Sequence, residues 1–129
     1  MYPQEFRYAK EHTWVRADES LGTIGITEHA QTELGDIIHV ELPKVGDRVT
    51  AGEPLGTVES DKAASEIISP VTGEVMAVNP LPAGSPEMVT ADPQGEGWLV
   101  RVQLSDRSEI EKLMSADEYE TFLQKEKAD

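Results

Sequence analysis

Leu55-Gly56-Thr57-Val58-Glu59-Ser60-Asp61-Lys62-Ala63-Ala64-Ser65-Glu66-Ile67-Ile68-Ser69 decides the reading of the chain. Two short strand-like runs among Gly and Pro turn residues, Leu55 to Ser60 and Ala63 to Ser69, flank a polar break, the pattern of a β-hairpin with Lys62 at its tip. Gly52 and Gly73 mark turns on either side, so a strand of six residues sets Lys62 about 20 Å from them. Residues 49 to 100 hold eight acids (Glu53, Glu59, Asp61, Glu66, Glu74, Glu87, Asp92, Glu96) and a single basic residue, Lys62. A primary amine on a flexible stem can be acylated, and a hairpin tip offers it to an enzyme without obstruction. A solvated turn lysine among carboxylates has the same spacing, so both readings stand at this level.

Outward from this hairpin the chain continues as short strands and turns. Glu74 to Asn79 and Trp98 to Leu104 read as further strands, the second with Trp98, Val100, Val102 and Leu104 on one face. Upstream, Thr13 to Arg16 and Thr23 to Ile26 flank the loop Asp18 to Gly22 as a hairpin. Thr27 is placed to cap a helix over Glu28 to Leu34, with Gly35 where a positive-φ residue is needed. Alternation then predicts a strand with Ile38, Val40 and Leu42 on its apolar face. After Ser105 the period becomes helical: Asp106-x-x-Glu109, Ser108-x-x-Glu111 and Ser115-x-x-Glu118 are candidate capping boxes, and a helical segment is expected over about 106–125. With no 10–15-residue helical crossovers between the strands, the pattern predicts a mainly β, antiparallel sandwich or flattened barrel with short flanking helices. A length of 129 residues suits one domain, 1–129.

Composition narrows the function. Eleven basic against 25 acidic residues give a net charge of -14, which repels phosphate backbones and anionic bilayers, so neither nucleic acid nor a membrane is an expected partner. The sequence has no Cys, which excludes disulfides, thiolate zinc sites and a thiol nucleophile, and leaves redox chemistry to an attached group. A cytoplasmic setting is expected. No nucleophile elbow, P-loop or dinucleotide fingerprint is present, and His12, His29 and His39 lack the spacing of metal ligands, so neither a catalytic residue nor a metal site is expected.

The segment Val58-Glu59-Ser60-Asp61-Lys62-Ala63-Ala64-Ser65-Glu66, followed by Ser69-Pro70-Val71-Thr72-Gly73-Glu74-Val75, resembles the H-protein family of the glycine cleavage system. The likeness extends through Gly25-Ile26-Thr27, Leu34-Gly35-Asp36, Val40-Glu41-Leu42-Pro43, Asp92-Pro93 and Gly97-Trp98. The resemblance implies a lipoyl-domain-like barrel-sandwich hybrid with lipoate in amide linkage on Lys62, acting as a non-catalytic carrier. It implies shuttling of the aminomethyl group of glycine among glycine decarboxylase (P-protein), aminomethyltransferase (T-protein) and dihydrolipoamide dehydrogenase (L-protein). Loading by a lipoate ligase or lipoyl transferase would take the formal charge from -14 to about -15 by neutralising one amine. Glu59, Ser60, Asp61, Ala63 and Ala64 are the implied recognition residues, and Glu66, Thr13 and His12 the implied residues of the arm's cleft.

The sequence departs from the family pattern near that cleft. The usual His-Glu-Trp appears as His12-Thr13-Trp14, the hydrophobic residue before the lysine is Asp61, and Thr90 and Gln94 replace an Asn and a Tyr. Thr13 makes an alternative cargo chemically reasonable, since a sulfur adduct without an amine has less use for a carboxylate. H-protein-like lipoate-binding proteins of a heterodisulfide-reductase-like sulfur oxidation pathway carry such a cargo, and lipoate relay uses the same tip. A biotin carrier would show Met-Lys-Met, whereas Asp61-Lys62-Ala63 is present.

Overall fold

A computed structural model describes residues 5–128. In chain order the elements are β1 (Arg7–Tyr8), β2 (Thr13–Asp18), β3 (Leu21–Ile26), α1 (Glu28–Leu34), β4 (Ile37–Glu41), β5 (Arg48–Val49) and β6 (Pro54–Ser60). There follow β7 (Ala64–Ile68), β8 (Gly73–Val78), α2 (Leu81–Gly84), α3 (Glu87–Ala91), β9 (Val100–Leu104), α4 (Ser108–Glu111) and α5 (Ala116–Ala128).

The strands form two antiparallel sheets, β1-β2-β3-β9-β8-β5 and β4-β6-β7. Val15, Ile24, Val75, Val100 and Val102 of the larger sheet share one buried cluster with Ile37, Val40, Val58 and Ile67 of the smaller, so the sheets pack face to face. Each such side chain contributes about 1.5–3 kcal/mol by leaving water. The mainly β antiparallel expectation holds as a lipoyl-domain-like sandwich of two open sheets, without a closed barrel among the described residues.

Three local expectations need correction. The first hairpin is tighter than its sequence suggests: Asp18 pairs with Leu21, and Glu19 turns the chain at φ 57°. In β4 the register shifts between Ile37 and His39, so the strict alternation breaks. Ile37 and Val40 are buried, while Ile38, expected inside, is 55% exposed. A bulge adds one residue and flips the following side chains to the other face. Trp98 precedes β9 instead of extending it; it packs with the aromatic cluster outside the core, under the Arg101 guanidinium at 4.1 Å, and Leu99 enters the core in its place.

That aromatic cluster secures the C-terminal helix. Tyr119 of α5 stacks on Tyr8 at 4.8 Å, and Phe6 stacks on Trp14 at 4.6 Å. Ser115 and Glu118 form a reciprocal capping box: the Ser115 N–H donates to Glu118 Oε1 at 2.8 Å and the Glu118 N–H to Ser115 Oγ at 3.2 Å. The box expected at Asp106 and Glu109 does not close. Asp106 instead accepts from Ser108, and Glu109 reaches across to the N–H and hydroxyl of Thr72 at 2.8 and 2.9 Å, pinning α4 to the turn before β8.

Candidate functional site

The β6–β7 turn is built around one hydroxyl. Ser60, buried at the end of β6, accepts the N–H groups of Lys62 and Ala63 at 3.2 and 3.1 Å, and its own hydroxyl donates to the Ala63 carbonyl at 3.1 Å. The Ser60 N–H closes the turn on the same carbonyl at 2.8 Å. Ser60 therefore does locally what a longer loop would need several residues to do. Asp61 is tied from outside the hairpin, its N–H donating to the Asp36 carbonyl at 3.1 Å.

Lys62 itself is exposed. Its stem runs over Gly35, which ends α1 at φ 87°, ψ -147°, a conformation essentially reserved for glycine. A Cβ at that position would stand 3.3 Å from Lys62 Cε and 3.0 Å from Asp61 Oδ1. The glycine read from sequence as a helix stop thus also makes room for the lysine stem. Among the described residues Lys62 has no ion-pair partner, although Glu59, Asp61 and Glu66 on the same hairpin are all exposed. Ala63 and Ala64 are exposed beside it and add little bulk.

The other site candidates fall into two groups. Glu66 pairs opposite Thr57, next to the inward-facing Ile67, so alternation turns it to the outer face of β7. No hydrogen bond or ion pair joins it to His12 or Thr13. Thr13 is 1% exposed and pairs with Ile26; its hydroxyl is the buried side-chain polar atom without a hydrogen-bond partner among the described residues. His12 precedes it at φ 68°, with its carbonyl accepting the Thr27 N–H at 3.0 Å. Thr27 caps α1 through Ala30, so His12 and Thr13 sit at one end of that helix and Lys62 at the other. Seven residues of helix separate them by about 10 Å.

The groups that gather around His12 come from segments far apart in sequence. His12 Nδ1 lies 2.7 Å from Tyr119 Oη, which lies 2.8 Å from Thr27 Oγ1, while Nε2 faces Glu126 at 3.5 Å. The His29 ring stands 4.6 Å from that of His12. Burial, and then the neighbouring His29, hold His12 below the usual histidine pKa, against the pull of Glu126, Glu33 and Glu11. The His12–Thr13–Trp14 motif flagged the place, but nothing local marks Tyr119 or Glu126 as its neighbours. Gln94 and Thr90, departures from the family pattern, have work of their own here. Gln94 accepts the Glu28 N–H at 2.9 Å and so caps α1, and Thr90 accepts the Ile37 N–H at 2.9 Å where β4 begins.

An antiparallel sandwich that carries an exposed lysine on a tight hairpin tip, with a helix end shaped around its stem, has the architecture of a lipoyl carrier. The glycine cleavage H-protein family model matches residues 6–126. A glycine cleavage system H protein from Nostoc punctiforme is 53% identical over 118 residues, covering 92% of each chain. One from Carboxydothermus hydrogenoformans is 45% identical over 124 residues, covering 96% of this chain and 95% of its own. The crystal structure of a glycine cleavage system H protein from Mycobacterium marinum superposes with a TM-score of 0.85 at 35% identity, over 92% of this chain and 95% of its own. The chain belongs to the glycine cleavage H-protein family, a lipoyl carrier that moves the aminomethyl group of glycine among the enzymes of the glycine cleavage system. These relatives give no support to the sulfur-carrying alternative. Among the described residues no helix is long and apolar enough to cross a membrane.

Proposed function

We propose that Lys62 carries the lipoyl group in amide linkage through Nζ, and that the chain acts as one lipoyl-carrier domain. The observation that carries this reading is the exposed Lys62 at the apex of β6–β7, with its stem laid over a glycine that no other residue can replace without contact. The residues fit the group: acylation needs an accessible amine free of an ion pair, and the apex supplies it. A bound lipoyl group supplies a reducible disulfide that can hold a one-carbon amine. Ser60 shapes the turn from which the stem leaves, and Gly35 leaves room for that stem at the C-terminal end of α1.

Glu59, Asp61, Ala63 and Ala64 form the exposed face that a lipoate ligase or lipoyl transferase reads, and the buried Ser60 is recognised through the turn it shapes. Exposed carboxylates at Glu59 and Asp61 favour a basic groove on that enzyme. His12, Thr13 and Glu66 are the residues proposed to face the arm. Support for Thr13 is its unpartnered buried hydroxyl, and for Glu66 its exposure on the lysine's own hairpin. The chemistry belongs to glycine decarboxylase, the aminomethyltransferase and dihydrolipoamide dehydrogenase, with this chain a non-catalytic carrier that raises the arm's effective concentration at each. A cytoplasmic setting accords with the cysteine-free sequence.

The test is reconstitution. Lipoylated protein incubated with glycine decarboxylase, glycine and labelled bicarbonate should support exchange into glycine at a rate comparable to an established H-protein. No exchange from fully lipoylated, folded protein would refute the assigned cargo.

A further inference from the structure

His12, proposed above to face the arm, also belongs to a cluster of possible metal ligands at the end of α1 opposite Lys62. His12 before β2, His29 in the first turn of α1 and Glu126 in α5 each offer one ligand atom, and these atoms lie within 4.8 Å of one another. At zinc–ligand distances of about 2.0–2.1 Å, ligand atoms on a tetrahedral ion stand roughly 3.4 Å apart. His12 Nε2 and Glu126 Oε1, at 3.5 Å, already match that edge. Closing the longer edges requires side-chain rotation, for which Glu126, 45% exposed, and His29, 28% exposed, have room.

The ring of His12 is also oriented as a ligand would be. His12 Nδ1 lies 2.7 Å from Tyr119 Oη, itself 2.8 Å from Thr27 Oγ1, so in the tautomer that carries its proton on Nδ1 the Nε2 lone pair faces Glu126. A hydrogen bond at the second ring nitrogen is what fixes tautomer and direction in metal-binding histidines. Glu33, with Oε1 at 3.6 Å from His29 Nε2, gives that ring a carboxylate neighbour.

We propose that His12, His29 and Glu126 form a binding site for a divalent transition-metal ion of the zinc type, with the fourth position left to water. Two imidazoles and one carboxylate suit zinc, and disfavour magnesium and calcium, which take oxygen ligands. An ion held there links the start of β2, α1 and α5, three segments far apart in sequence, and clamps α5 against the sheet.

The experiment is calorimetric titration of untagged, metal-free full-length protein with zinc chloride, with magnesium chloride as the second arm. One zinc per chain and no magnesium uptake are expected. His29→Gln and Glu126→Gln should each weaken zinc binding by at least about tenfold, and His39→Gln, an exposed change on β4, should leave it unaltered. His12 is excluded from the variants because its backbone and ring are built into the fold. No zinc binding, or zinc binding of undiminished affinity in the His29→Gln and Glu126→Gln proteins, overturns the proposal.

Discussion

Gly35→Ala perturbs the support of Lys62 with one added carbon. Gly35 sits at φ 87°, ψ -147°, where a side chain costs about 1–3 kcal/mol of backbone strain. The new Cβ would also stand 3.0 Å from Asp61 Oδ1 and 3.3 Å from Lys62 Cε, both ends of flexible side chains that can give way. The stability cost therefore stays near the strain itself, while the displacement falls on the hairpin tip. For a chain of this size 1 kcal/mol is worth about 3–4 °C, so the thermal midpoint should drop by roughly 3–12 °C. Gly46→Ala is the control: Gly46 has φ 96° with nothing within 4 Å of an added Cβ, so it carries strain without touching the lysine. Scanning calorimetry should show comparable losses for the two, and a lipoylation time course should be severalfold slower for Gly35→Ala alone. A midpoint within about 1 °C of the parent, or equal lipoylation rates in the two variants, would refute the cradle argument.

Ser60→Ala removes the acceptor of two turn N–H groups and should cost about 1–3 kcal/mol, with faster amide exchange at Lys62 and Ala63; unchanged exchange there would count against the hydroxyl's role. The bulge in β4 predicts that Ile38→Ser shifts stability by no more than about 0.5 kcal/mol, whereas Ile37→Ala costs about 2–5 kcal/mol in urea unfolding; the reverse order would restore simple alternation. Hydrogen bonds from Ser115 hold the Glu118 carboxyl below the ordinary glutamate range. Its contribution is present above the unfolded value, near 4.3, and is lost as pH falls through the lower folded value. Glu118→Gln should accordingly flatten the acid limb of α5 stability followed by circular dichroism, and an unaltered limb would argue against the capping box.

What could be read from sequence was local. Thr27, the run Glu28 to Leu34 and Gly35 carry their own start and stop signals, and the helix forms over those residues. The β6–β7 hairpin was legible because its polar break separates two β-rich runs. The inward face of β4 was not, since a bulge leaves no mark in a period-two pattern and is fixed by its pairing with β6. Trp98 misled for a related reason: its parity matches Val100, but the strand begins later and the side chain is claimed by Arg101 and the aromatic cluster. Tyr119 and Glu126 reach His12 and His29 through the packing of α5, where Tyr119 stacks on Tyr8 of the sheet, a long-range event with no local signature.

Covalent loading of Lys62 is tested most directly by mass spectrometry of protein purified from a lipoylating host. Intact mass should show a single lipoyl increment, fragmentation should place it on Lys62, and Lys62→Arg should lack it while keeping the parent's circular dichroism. An increment on any other lysine, or a folded parent chain that stays unmodified in a host that lipoylates other carriers, would contradict the assignment.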